Sequence, residues 1–202
     1  MKHRRIIQHI LSAVILTIAF QAAAQRNLMD GIVYLSTGSV ISTADSLGIE
    51  IPVKQKPLRI VTNPYTARQK VRDKIQPQQI DSIVLWNPTA PERPHTFEYI
   101  PRYGWCWLLE RGNHISVYAF SPKGYTISGN GGIWARKKLD VIVIKGDTTY
   151  LFSKPEKFAD NKFRKQVAEI VSDDAGLVRM IMQSSSRRDK ILRMLNLYSP
   201  NK

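Results

Sequence analysis

Apolar residues crowd the stretch 139–153, LDVIVIKGDTTYLFS, and the pattern of the chain changes character on either side of it. Two apolar runs, 141–144 and 149–152, flank Gly146 and Asp147, and glycine at the first central position suits a two-residue type II′ turn. The resulting hairpin sets Val143 opposite Tyr150, Val141 opposite Phe152, Ile142 opposite Leu151 and Ile144 opposite Thr149. Side chains alternate across a strand, so both faces of this ribbon carry apolar groups and both are expected to be buried.

Upstream the apolar period is two. Runs at 32–35 and 40–42 flank Ser-Thr-Gly-Ser and predict a first hairpin, preceded by a loose polar leader at 25–30. Ile49, Ile51 and Val53 alternate with Glu50, Pro52 and Lys54; Pro52 and Pro57 place that strand at an edge, because proline cannot donate to a ladder. Further strands are predicted at 58–62, 80–86, 96–100, 105–110, 114–120 and 125–128, with a loop over the three prolines of 87–94. Trp105 and Trp107 share a face and read as core rather than as a ligand-stacking platform.

Downstream the period lengthens to about 3.6. Phe163, Val167, Ile170 and Val171 mark one helical face with Asp160 as its cap, and a second helix starts at Asp173 or Asp174 and carries Leu177, Met180 and Ile181. Residues 186–189, Ser-Arg-Arg-Asp, resemble a capping box that opens a third helix bearing Ile191, Met194, Leu195 and Tyr198, which Pro200 stops. Short amphipathic helices must pack on something. The expected fold is α+β: an antiparallel, curled or barrel-like sheet followed by a short C-terminal helical layer.

Residues 1–24 change the picture. Lys2, Arg4 and Arg5 precede an apolar run that ends in Ala22-Ala23-Ala24, the three parts of a secretory signal peptide with cleavage near Ala24. The organisation expected is a leader at 1–24, a β-rich region at 25–157 and helices at 158–202 packed on the same domain. The charge of +14 would ordinarily suggest nucleic acid; an exported chain seldom meets it, so the anions in view are an envelope protein, an anionic glycan or a lipid surface. The single cysteine, Cys106, excludes an internal disulfide.

The order of motifs resembles a broad group of uncharacterised exported proteins of Bacteroidota. The matching pieces are Gly31 to Leu35, Gln76 to Ile80, Gly112 to Tyr118, the hairpin around Gly146, and Leu197 to Asn201. Where similar sequences carry Cys-Pro or Asp-Cys-Pro between the C-terminal helices, this chain has Asp173-Asp174-Ala175. The resemblance implies an envelope location and a shared scaffold, and it brings no catalytic residues.

Candidate chemistry is sparse. His95 and His114 stand apart from any second ligand at metal spacing, no Gly-x-Ser-x-Gly elbow is present, and no cofactor motif is found. Glu98 and Glu110 lie on predicted strands and could form the carboxylate pair of a small envelope glycan hydrolase. Arg68, Lys70, Arg72 and Lys74, in a segment read as a solvated loop or short polar helix, and Arg187 and Arg188 in the last helix, are the candidate anion-binding cations. The function that follows is a non-enzymatic exported envelope module that binds a protein, glycan or membrane surface, with the hydrolase as the alternative.

Overall fold

The computed structural model describes residues 28–43, 47–64, 70–127, 132–136 and 138–200. The leader expected at 1–24 lies outside the described residues. The chain runs through β1 (Leu28–Leu35), β2 (Val40–Ser42), β3 (Leu47–Glu50), β4 (Leu58–Thr62), β5 (Lys70–Ile75), β6 (Ile80–Asn87), β7 (Ala90–Ile100), β8 (Gly104–Arg111) and β9 (Ile115–Phe120). There follow β10 (Tyr125–Ile127), β11 (Ile133–Ala135), β12 (Asp140–Lys145) and β13 (Thr148–Ser153). Three helices close the chain: α1 (Asn161–Ile170), α2 (Ala175–Gln183) and α3 (Arg188–Arg193), the last running into a 3-10 turn at Met194–Leu197.

Eleven strands form one antiparallel sheet in the order β13-β12-β9-β8-β7-β6-β1-β3-β4-β5, with β2 also on β1, while β10 and β11 form a separate ribbon. The central hairpin has the register expected from its sequence, Val143 opposite Tyr150 and Val141 opposite Phe152. At its turn Gly146 has φ +54°, and Asp147 is not left-handed, as a II′ turn requires. The first hairpin also forms, with Val33 opposite Ile41.

The sheet is open, neither curled nor closed, which corrects the barrel-like expectation: among the described residues β13 and β5 each have one neighbour. Closure is unnecessary because one face is already covered. Over β9 and β12, Ile115, Val117, Val141 and Val143 pack with Phe163, Val167, Leu177, Ile181, Ile191 and Leu195 of the helical layer. Over the other half, Met29, Val33, Ile83, Leu85, Phe97 and Trp105 pack with Ile49, Leu58 and Ile60, and the β10–β11 ribbon adds Tyr125 and Ile133. The segment after β3 folds back on β8, where Trp105 N donates to Lys54 O and Trp105 Nε1 to Lys56 O. Trp105 is thus core, as its pattern suggests.

Several local expectations are corrected. Leu28 to Asp30 belong to β1 rather than to a leader, since Leu28 and Met29 are buried against β3. β3 ends before Pro52 and lies between β1 and β4, so the prolines terminate it instead of placing it at an edge. β7 runs through Pro91 and Pro94. Its pairing with β6 jumps from Asn87–Ala90 to Leu85–His95, so 91–94 bulge out with no partner in the register and need donate nothing. Residues 70–75 form the margin strand β5, not a loop or helix. The caps at Asp160 and Asp174 form, accepting from Phe163 N (2.7 Å) and Leu177 N (2.9 Å). The Ser186 capping box does not: Arg187 is the N-cap residue and makes no side-chain cap bond.

Candidate functional site

The strand β13 gives one edge to β12 and leaves the other without a partner strand among the described residues. In a two-residue hairpin the residues flanking the turn exchange both hydrogen bonds, and hydrogen-bonded pairs then alternate with the others. Thr148, Tyr150 and Phe152 therefore bond β12, while the backbone groups of Thr149, Leu151 and Ser153 point to the margin. Arg188 Nη1 takes up Ser153 O at 3.5 Å, leaving Thr149 and Leu151 as the open donors and acceptors.

Helix α1 runs beside this margin. Phe163 meets Phe152 edge to face at 5.5 Å, and the Arg188 guanidinium lies 4.8 Å over the Phe163 ring while bonding Asp160 at 2.8 Å. Lys145 Nζ donates to Ile170 O at 2.7 Å, which ties the end of α1 to β12. Between these anchors lies a cavity of about 480 Å³ lined by Tyr150, Leu151, Phe152, Gln166, Glu169 and Ile170. Leu151 alternates to the opposite face from Tyr150 and Phe152 and is 49% exposed, so its place in the lining carries the groove round to the open backbone.

The central hairpin was expected to be buried on both faces. β12 is: Val141, Ile142 and Val143 are all fully buried. β13 is not, because the small apolar cluster on the opposite face of the sheet, Cys106, Tyr118 and Ile142, reaches only as far as β12 and leaves Leu151 in solvent.

The carboxylates Glu98 and Glu110 do not share a site. Glu98 sits opposite Cys106 and accepts from Tyr118 OH at 2.8 Å and from Arg111 Nη2. Plain alternation would put Glu110 on that same face. A bulge between Leu108 and Glu110 brings Glu110 opposite Val117, on the helical side, where Arg193 Nη1 (2.8 Å) and Asn196 Nδ2 (3.4 Å) hold it. The cleft that a glycosidase pair requires is not formed. Of the cations, Arg68 lies outside the described residues; Lys70, Arg72 and Lys74 are exposed on β5, with Arg72 beside Asp73 at 3.1 Å. Arg187 pairs with Asp189 at 3.1 Å, and Arg188 is a structural tie with its side chain 19% exposed.

Acid-base and nucleophilic chemistry finds little foothold. Burial, helped by the Glu98 charge, pushes the Cys106 thiol up to about 12, so it stays protonated and inert near neutral pH. Burial, then the hydrogen bond to Glu98, pushes Tyr118 up to about 12 as well. Among the described residues no three His, Cys, Asp or Glu side chains cluster as a metal site. His95 packs edge to face on Trp107 at 4.9 Å and His114 on Tyr198 at 5.9 Å.

No family model matches the chain, and no curated protein or solved structure is significantly similar to it. The groove beside β13 escaped the sequence reading, which placed candidate residues by charge. The signal that could have found it is negative: Thr148 to Ser153 is a strand without a single charged residue, next to a helix.

Proposed function

We propose that this protein is a non-enzymatic exported module of the cell envelope that binds an extended protein segment by adding it as a strand to β13. The observation that carries the reading is the uncharged, open margin of β13 beside a cavity of about 480 Å³. Strand addition takes affinity from main-chain bonds and specificity from pockets for alternate side chains. Here Thr149 and Leu151 supply the bonds, and inward side chains of the added strand meet Tyr150, Phe152 and Ile170. Gln166 and the exposed Glu169 at the rim favour a lysine or arginine among those residues. Export rests on the leader at 1–24.

Panning a random peptide display library tests this. Enriched peptides should alternate apolar residues and carry a cation. Leu151→Pro removes an amide that faces the margin, and proline is tolerated on edge strands, so that variant should keep its melting point within a few degrees and lose the peptides. No enrichment, or the same peptides captured by Leu151→Pro, would overturn the reading.

A further inference from the structure

A second surface lies away from the groove, where the turn between β13 and α1 meets the β10–β11 ribbon. Phe158 is 73% exposed, the most exposed of the large apolar side chains among the described residues, and Trp134 is 61% exposed. Lone exposed apolar residues are ordinary. The two sit on adjoining stretches: Trp134 lines one cavity with Lys154 and Glu156, and Phe158 follows Glu156 by two residues, a Cα reach of at most about 7 Å from Glu156.

The turn that carries Phe158 is held rigidly. Phe158 makes an isolated β-bridge with Arg187; Arg188 N donates to Lys157 O (2.8 Å), Asp189 N to Pro155 O (3.0 Å) and Ala159 N to Ser186 O (3.2 Å). Pro155 is buried beneath it. An aromatic ring fixed outward on such a support loses little entropy when it meets a partner. The charge that the surroundings show to solvent is in positive excess. Lys154, Lys157, Arg136 and Lys138 are exposed, whereas Asp140 is buried against Lys138, and Asp160 and Asp189 are paired with Arg188 and Arg187. Glu156 and Asp160, the latter with a side chain 60% exposed, are the exposed acids among them, against four exposed cations.

We propose that Trp134 and Phe158, with Lys154 and Lys157, form an interfacial foot that docks the protein on an anionic phospholipid surface. Tryptophan and phenylalanine enter the headgroup boundary while lysines meet the lipid charge. A soluble acidic sugar would occupy the cavity at Trp134 and leave Phe158, which does not line it, without a role. No helix among the described residues is long and apolar enough to cross a membrane, so the contact described is with the surface. It is independent of strand addition at β13, and Leu151→Pro should leave it unchanged.

The test is co-sedimentation of the protein, in the form recovered from the envelope of a cell that exports it. The vesicles are mixed phosphatidylglycerol and phosphatidylcholine, or phosphatidylcholine alone. The mixed vesicles should capture the protein and the neutral ones should not. Trp134→Ser with Phe158→Ser should cut partitioning by at least about tenfold, and Lys154→Gln or Lys157→Gln by about fivefold each at low salt. All four side chains are exposed, so the variants should melt as the parent does. Failure of the parent to bind mixed vesicles, equal capture by neutral ones, or capture of the Trp134→Ser, Phe158→Ser variant at the parent level would overturn the proposal.

Discussion

The two margins of the sheet are built on opposite chemistry. β5 carries Lys70, Arg72 and Lys74, exposed along its length, and pairs with β4 through a register shift between Ile60 and Val61. β13 carries no charge, pairs with β12 in unbroken register over six residues, and lies beside a helix that walls a groove. Charged side chains and bulges are the usual protection of an exposed edge against another strand. One margin is guarded and the other is left ready. The basic residues that look like a binding patch in the sequence therefore lie on β5, where charge deters strand pairing, and the margin proposed to bind protein is the one without them.

The comparison breaks most visibly in stability. Ile142 on β12 is fully buried between Tyr118 and the neighbouring apolar side chains, whereas its cross-strand partner Leu151 on β13 is half exposed. Ile142→Ala should cost about 2–5 kcal/mol in urea unfolding. Leu151→Ala should cost about 1 kcal/mol or less, because the lost side chain is largely in water already. Equal costs would mean that β13 is covered on its second face and that its margin is not open.

How each margin is held was legible in parts. The hairpin register and the caps at Asp160 and Asp174 follow from residues within a few positions of one another, and such local chemistry can be read directly. Strand order cannot. Nothing near Ile49 says that β3 will lie inside the sheet, and the prolines of β7 are tolerated only because the facing strand leaves them unpaired. The same limit governs the site. Glu98 and Glu110 separate because one extra residue at Leu109 reverses the alternation, and Arg188 turns from a candidate ligand into a tie because Asp160 and Phe163 come to it from 25 or more residues away.

Among the described residues the helical layer lies at one margin, and Asp174 shows what secures it. Its carboxylate caps α2 through Leu177 N at 2.9 Å and takes Ser199 N at 3.2 Å, joining the start of α2 to the chain's last turn. Asp174→Ala should lower stability by about 1–2 kcal/mol, with Asp174→Asn recovering most of the helix cap. Removing charge from β5 acts on the other margin. Lys70→Thr, Arg72→Val and Lys74→Thr together should leave the melting point nearly unchanged and raise self-association about fivefold in sedimentation velocity. Unchanged self-association would show that the β5 charges are not what keeps that edge alone.

The finest distinction between the margins is their response to acid. At the helical margin Tyr198 OH donates to Asp173, and Lys145 Nζ lies 3.5 Å from the same carboxylate and 4.2 Å over the Tyr198 ring. That hydrogen bond from Tyr198, with Lys145 beside it, holds the Asp173 carboxyl below the usual carboxylate range. A carboxylate whose folded value is depressed stabilises the fold above its unfolded value, about 3.9, and loses that contribution as pH falls through the folded value. Parent and Asp173→Asn should therefore differ in melting point near neutrality and converge as pH drops below about 4, where the protonated acid resembles the amide. Because Asp173 is exposed, the gap should be small and should narrow in salt. A gap that persists unchanged down to pH of about 2 would assign it to the shape of the side chain rather than to its charge.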